Sequence, residues 1–399
     1  MGRIPHKSIL VAVMAVFLGL AQGAAADRIV PTKHGDADPD GCTKTDCSLR
    51  EAVTKANAAP GRDTIVLHGG EPYLLKQNGD DDTNAAGDLD IASNIAVRGL
   101  PRATIDADGS EHAFHLPMLP GAQHLKLARL TVTGASEGGV LAQAGELRVT
   151  RSKVARNQNF TSLTNSGGGG GIAVTDTGRA RIRRTTISKN EADSGGGLYA
   201  GGMTSVRKST INGNTSSGTG GGIKSQSASF EITNSTVANN KTASDGGGLS
   251  VASGTTTINN VTIARNKADT DTTGGSDVGG GIAASGGTIN VANSIIALNE
   301  LGGNPTGLAD RNCDGTFASG GGNVRGSADP GCLGFTGTDD VVDQNPRLGK
   351  LARNGGPTKT IALKPGSEAI GNAINASAEN RDQRGHDRDS NPDAGAYER

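Results

Sequence analysis

The sequence contains no Trp, only six Phe and three Tyr, and four Cys among its 399 residues. A chain this poor in aromatic rings lacks the large side chains that anchor most globular cores, and it offers no Trp platform on which sugar rings could stack. Its charges nearly cancel, with 39 Lys and Arg against 40 Asp and Glu. The total therefore favours neither a nucleic-acid binder nor an acidic disordered chain. A long apolar run occurs at the start, from Ile9 to Leu20, and it falls short of the roughly 20 residues that a membrane-spanning helix needs. Glycine is what abounds: 62 Gly beside 14 Pro, without the strict three-residue period of collagen.

A basic start at Arg3 and Lys7, the short apolar run, and small residues at Ala24 and Ala26 predict a cleaved secretory signal over residues 1–26. Export would place Cys42, Cys47, Cys313 and Cys332 where disulfides persist. Four cysteines allow three pairings, and nearness in sequence favours Cys42 with Cys47 and Cys313 with Cys332. Zinc lacks its usual spacing, since no C-x-x-C occurs and His112 and His115 form no H-E-x-x-H.

An internal period organises the rest. Three glycines followed by an aliphatic residue recur at Ile172, Leu198, Ile223, Leu249 and Ile282. A β-branched residue three before an Asn recurs as Val154/Asn157, Ile187/Asn190, Ile211/Asn214, Val237/Asn240, Ile263/Asn266 and Ile296/Asn299. Eight residues before each Asn stands another aliphatic: Val149, Ile182, Val206, Ile232, Ile258 and Val291. Leu127 and Val132 fit the same template, with Ala135 in the Asn place. Apolar stretches this short are too brief for helices and too regular for loops. They predict an all-β fold, a right-handed parallel β-helix in which each unit is one turn stacked on the next at about 4.8 Å. Asn234, Asn260 and Asn293 sit six before the repeat Asn, where a left-handed corner and amides bonded from coil to coil are expected.

A solenoid needs covered ends. Ser48 and Glu51 form a capping box, and Leu49, Ala52, Val53 and Ala56 make a helical apolar stripe. They predict a short N-terminal capping helix pinned by Cys42 and Cys47, with a strand from Thr64 to Leu67 beginning the winding. The expected domains are a signal over 1–26, an N-terminal cap over 27–62, β-helix repeats over 63–310, and C-terminal coils with an irregular cap over 311–399.

Residues Cys47 to Ala52 read C-S-L-R-E-A, followed by P-G-R-D-T-I at Pro60 to Ile65. This resembles the CSLREA domain of secreted bacterial β-helix proteins, and G-D-L-D-I at Gly87 to Ile91 and I-D-A-D-G at Ile105 to Gly109 resemble the early coils of that group. The far end is similar to the choice-of-anchor Q domain: N-G-G-P-T-K-T at Asn354 to Thr360, L-K-P-G-S at Leu363 to Ser367, D-Q-R-G at Asp382 to Gly385 and G-A-Y-E at Gly395 to Glu398. A-I-G-N at Ala369 to Asn372 departs from it, because that domain more often has Asp after A-I. The resemblance implies a pectin-lyase-like fold and export; it implies no agreed chemistry. The glycine repeats also resemble passengers of polymorphic outer-membrane proteins, which act as adhesins, but Gly replaces their usual third-position Ala and Ile or Val their Phe.

One feature exceeds what folding requires. Arg148, Arg151, Arg181, Arg183, Arg184, Arg207 and Lys208 lie at matching places in three consecutive units, so stacking brings like charges together. A bound polyanion would relieve that repulsion; the plain alternative is a row of long side chains fanning into solvent. Asp80, Asp81 and Asp82, near Asp88 and Asp90, form a hard-oxygen run suited to Ca²⁺, or simply a solvated turn. No G-x-S-x-G marks a serine hydrolase, and no paired carboxylates stand out for a glycosidase. Thr186, Thr210, Thr236 and Thr262 make an outward Thr row that would form a flat polar face.

These observations point to a secreted or cell-surface monomer that binds extracellular polysaccharide or surface glycan without catalysis, has no nucleic-acid partner, and has no transmembrane segment. The second reading, from the basic patch and the fold, is a polysaccharide lyase acting by β-elimination on a uronate polymer, or a glycoside hydrolase.

Overall fold

The computed structural model describes residues 26–36, 40–77, 79, 81, 83–160, 168–175, 177–271, 277–302, 312–326, 329–343 and 345–399. The expected signal segment lies outside them except for Ala26. Described residues form a right-handed parallel β-helix with one α-helix, Leu49–Ala58. A typical coil runs through four short strands: a long face of five residues (Arg179–Arg183), a short face of three (Thr186–Ser188), a two-residue strand (Glu191–Ala192) and a glycine-led strand of three (Leu198–Ala200). Each pairs in parallel with its equivalent one coil on, so Ile182 lies between Val149 and Val206, and Ile187 between Val154 and Ile211.

The repeating aliphatics point inward and are fully buried, forming one continuous core. Full burial of each contributes roughly 1.5 to 3 kcal/mol. The four strands bend at two left-handed corners. Arg129, Arg151, Arg184, Lys208, Asn234, Asn260 and Asn293 hold the first, and Arg156, Lys189, Gly213, Asn239, Arg265 and Leu298 the second, all at positive φ.

The bonded amide column differs from expectation. The corner residues Asn234 and Asn260 turn outward to meet the C-terminal segment. The continuous ladder is built instead by the repeat Asn, which is buried: the side-chain N–H of Asn190 donates to Oδ1 of Asn214 at 3.0 Å, Asn214 to Asn240 at 2.9 Å, Asn240 to Asn266 at 2.9 Å and Asn266 to Asn299 at 3.0 Å. The same amides donate to a carbonyl of the preceding coil, as Asn214 does to Ile187 and Asn240 to Ile211. The reason is position: the repeat Asn faces the interior, where an amide must find partners inside the protein.

The glycine triplets and the Asn repeat are one device. A Cβ on Gly222 would lie 2.6 Å from the Gly248 carbonyl and 2.8 Å from Asn240 Nδ2, and Gly197 and Gly248 are confined in the same way by Asn214 and Asn266. The ladder occupies the space that a side chain would need.

At the N-terminal end the capping box forms as expected, and Leu49, Ala52, Val53 and Ala56 are buried. Both expected disulfides are present, Cys42–Cys47 and Cys313–Cys332. Arg50, within the C-S-L-R-E-A motif, is completely buried and binds Asp36 at 2.8 Å together with the Ala86, Gly87 and Asp88 carbonyls.

The irregular C-terminal segment does its covering along the flank of the solenoid. Leu348, Ile361, Leu363, Ala369 and Ala394 pack on Ala238, Ala264, Ile295 and Ala297 of the short face. Thr210 donates to the Lys359 carbonyl, Thr236 to Gln383 Oε1, and Thr262 accepts from the Ala396 N–H. The Thr row is therefore covered beyond Thr186 and forms no open flat face; its hydroxyls serve as the seat of the segment. Gln383 of D-Q-R-G, fully buried, bridges Thr210, Thr236 and Thr358.

Gly222→Ala should lower unfolding free energy by about 2 to 4 kcal/mol, because neither the carbonyl nor the ladder amide can retreat. Gly213→Asn should be close to neutral, since Gly213 has open space and shares its corner with Asn239. Denaturant melts of both variants check the pair.

Candidate anion-binding face

The structure sorts the seven basic residues into columns. On the long face Arg148 lies beside Arg181, and Arg183 lies between Thr150 and Arg207. Arg151, Arg184 and Lys208 belong instead to the first left-handed corner. All seven share one flank, but they are not equally free.

Glu146 stands between the long-face cations. Its carboxylate pairs with Arg148 at 2.8 Å, Arg181 at 3.3 Å and His124 at 3.4 Å. The Arg148 hydrogen bond holds Glu146 below the usual carboxylate range, and the same bond raises Arg148. Arg207 pairs with Glu379 of the C-terminal segment at 2.6 Å. Lys208 is buried, and its carbonyl accepts a bond from Thr358; burial and then Arg184 push its amine down. Lys208 is thus a packed corner residue, whereas Arg148, Arg181 and Arg183 are exposed.

The basic surface also extends further than the repeats suggested. In the Arg148 column the preceding coil places Lys126, and in the Arg183 column earlier coils place Arg98. Lys126 precedes the core residue Leu127 just as Arg148 precedes Val149 and Arg181 precedes Ile182, a signal that the alignment of core positions already carried. An open groove of about 770 Å³ crosses this face, lined by His124, Glu146, Arg179, Arg181, Arg207 and Glu231 among others.

Asp80 and Asp82 lie outside the described residues. Asp81 accepts bonds from Thr83 N and Oγ1, Ala85 N and Ala86 N. Partial burial opposes its ionisation, but these bonds outweigh it and hold Asp81 below its ordinary value. Its oxygens close a turn.

A cluster that sequence reasoning missed lies nearby. Asp88 and Asp90 are buried, and His112 Nδ1 is 3.1 Å from Asp88, while His115 Nδ1 is 3.2 Å from Asp90 and 4.0 Å from Asp88. His115 Nε2 meets Gln143 Oε1 at 3.0 Å. Asp88, Asp90 and His115, and likewise Asp88, Glu111 and His112, bring possible ligand atoms within 4.8 Å of one another. Mixed nitrogen and oxygen donors suit a zinc-like ion better than Ca²⁺, which takes six to eight oxygens. The His115 imidazole can also supply counter-charge itself. Burial opposes the His115 cation most, yet the Asp90 bond, the Asp88 charge and the Gln143 contact together raise its pKa to about 8.

A His raised above 6.5 stabilises the fold fully below that pH and loses the contribution as pH rises through 8. We expect about 2 kcal/mol to disappear between pH 6 and 9. The wild type minus His115→Gln difference in urea unfolding, measured across that range, isolates it; a difference that does not change with pH would refute the assignment.

No curated protein is matched by the sequence. A crystal structure of pectate lyase Pel9A superposes over 94% of this chain and 98% of its own, at 18% identity and a TM-score of 0.49. Residues 119–299 match the family model described as the right handed beta helix region.

Proposed function

We propose that the protein works outside the cell as a secreted or surface β-helix monomer, binding an anionic polysaccharide along its long face without turning it over. Two disulfides fit an oxidising compartment, and no described helix is long and apolar enough to cross a membrane. Strands spaced at about 4.8 Å set Arg98, Lys126, Arg148, Arg181, Arg183 and Arg207 along the solenoid axis as a track for a linear polyanion.

The observation that carries the reading is this stacking of cations coil upon coil, with Glu146 held between Arg148 and Arg181 by ion pairs. Fixed charges without rings leave recognition to ion pairing and hydrogen bonds.

Retention on immobilised polygalacturonate, alginate or hyaluronan tests this. Binding should fall as salt rises. Arg181→Gln should weaken it about threefold to tenfold, and Glu146→Gln should strengthen it by releasing Arg148 and Arg181. If the mature protein, with or without Ca²⁺, produces the ultraviolet absorbance of an unsaturated uronide, and Arg184→Ala abolishes it, lyase activity replaces the binding reading.

A further inference from the structure

A second basic surface lies around the first corner from the groove, on the short face, and the argument for it comes from side chains that the groove does not use. Lys153 projects from the strand Lys153–Ala155, between Thr131 of the preceding coil and Thr186 of the next. On the far side of Thr186 the flank disappears beneath the C-terminal segment, whose Lys359 carbonyl is bound by Thr210. The uncovered part is therefore a patch with a floor of Thr131, Lys153 and Thr186, bounded at one end by that segment.

The strongest charges acting on this surface are positive. The four charges that act most strongly on Lys153 come from Arg156, Lys189, Arg102 and Lys359. Arg156 and Lys189 stand at the second left-handed corner. Arg102 is tied down by its own donors, with Nη1 on the Leu130 carbonyl at 3.1 Å and Nη2 on the Arg151 carbonyl at 2.9 Å, and Arg353 adds a further cation beside it. Among the described residues none of these six is ion-paired with a carboxylate. In the groove, by contrast, Glu146 and Glu379 already answer Arg148, Arg181 and Arg207.

Such convergence is unfavourable in the free protein. Burial and then the surrounding cations push the Lys153 amine down. Nothing in the core demands it, because the equivalent position in following coils is Thr186, Thr210, Thr236 and Thr262. Cations from three separate places, the early coil at Arg102, the repeats at Lys153, Arg156 and Lys189, and the C-terminal segment at Arg353 and Lys359, meet only through the fold.

We propose that this patch binds a tetrahedral oxyanion ester, a phosphate or sulfate group carried by an extracellular glycan. A phosphate monoester fits better of the two, since it carries up to two negative charges and three strong acceptor oxygens against a cluster of several donors. The Thr131 and Thr186 hydroxyls on the floor supply neutral donors beside the cations. The site uses none of the groove's residues, so it stands whether or not the groove binds a polyuronate.

The test is calorimetric titration of the full mature chain with inorganic phosphate and, separately, with inorganic sulfate at matched ionic strength. Saturable binding is expected, tighter for phosphate, and weakened about tenfold or more in Lys153→Met and in Arg102→Met. Arg181→Gln should leave it unchanged. A tighter sulfate isotherm with the same variant pattern would support the site and name the sulfate ester as its ligand. Side-chain NMR of Lys153 should show its amine titrating at higher pH when phosphate is bound, which a merely structural lysine would not do. Both variants alter exposed or half-buried side chains, and matching thermal melts confirm that they are folded. Absence of saturable binding by either anion, equal affinity in Lys153→Met and Arg102→Met, or loss in Arg181→Gln would each overturn the proposal.

Discussion

The buried asparagine ladder is the constraint on which the rest of this molecule depends. Each amide from Asn157 to Asn299 donates to the next coil's Asn and to a carbonyl of the preceding one, while its oxygen accepts a backbone N–H, as Asn240 Oδ1 does from Asn214. Removing one member would leave its neighbours' buried polar groups without partners, a cost of about 1 to 3 kcal/mol for each group. The ladder also dictates what faces it. Gly139, Gly171, Gly197, Gly222, Gly248 and Gly281 each lie where a Cβ would run into the amide of an Asn in the column. Glycine is abundant here because the interior is narrow and polar along one edge.

With the interior so prescribed, variation moves outward to the corners. A left-handed corner needs a residue that tolerates positive φ, and Arg, Lys and Asn all fill it here. For residues other than Gly this conformation costs roughly 1 to 2 kcal/mol, offset by the strands that each corner joins. Long side chains at a corner splay away from the axis, and this is how Arg151 and Arg184 come to rim one flank while Arg156 and Lys189 rim the next. The C-terminal segment then divides the surface. It lies over the Asn-bearing half of the first corner and stops where the Arg-bearing half begins, with Asn234, Asn260 and Asn293 bonded to Arg381, Glu379 and Ile374.

A nearly neutral total hides this segregation. Many carboxylates are engaged in internal pairs or turns: Asp36 with Arg50, Asp382 with Arg384, Glu398 with Arg388, and Asp81 in its own loop. The cations of the long face and of the short-face patch are left in excess on the outside. Net charge is a property of composition, whereas a binding field depends on which charges remain unpaired at the surface.

Much of the architecture was legible in the residues themselves. A strand period of two and a coil period near 26 residues are local and repeated, so Ile182, Ile187 and Leu198 declared their inward positions, and Ser48 with Glu51 declared the helix start. Close cysteines declared their pairing for the same reason, since a short loop leaves few other partners. The Asn repeat was visible, but its bonding was not, because whether an amide faces inward or outward depends on the corner geometry. The site was legible only as a row of cations: nothing in the spacing revealed that Glu146 lies between Arg148 and Arg181, that Glu379 arrives from the other end of the chain to meet Arg207, or that Asp88 and Asp90 face His112 and His115. Sequence alone determined the periodic core and its winding, because those rest on contacts between equivalent residues of adjacent coils. Tertiary structure decided which charges meet, which are buried and which stay open, because those depend on different coils and segments being laid side by side, from Asp88 and His112, 24 residues apart, to Arg207 and Glu379, 172 apart.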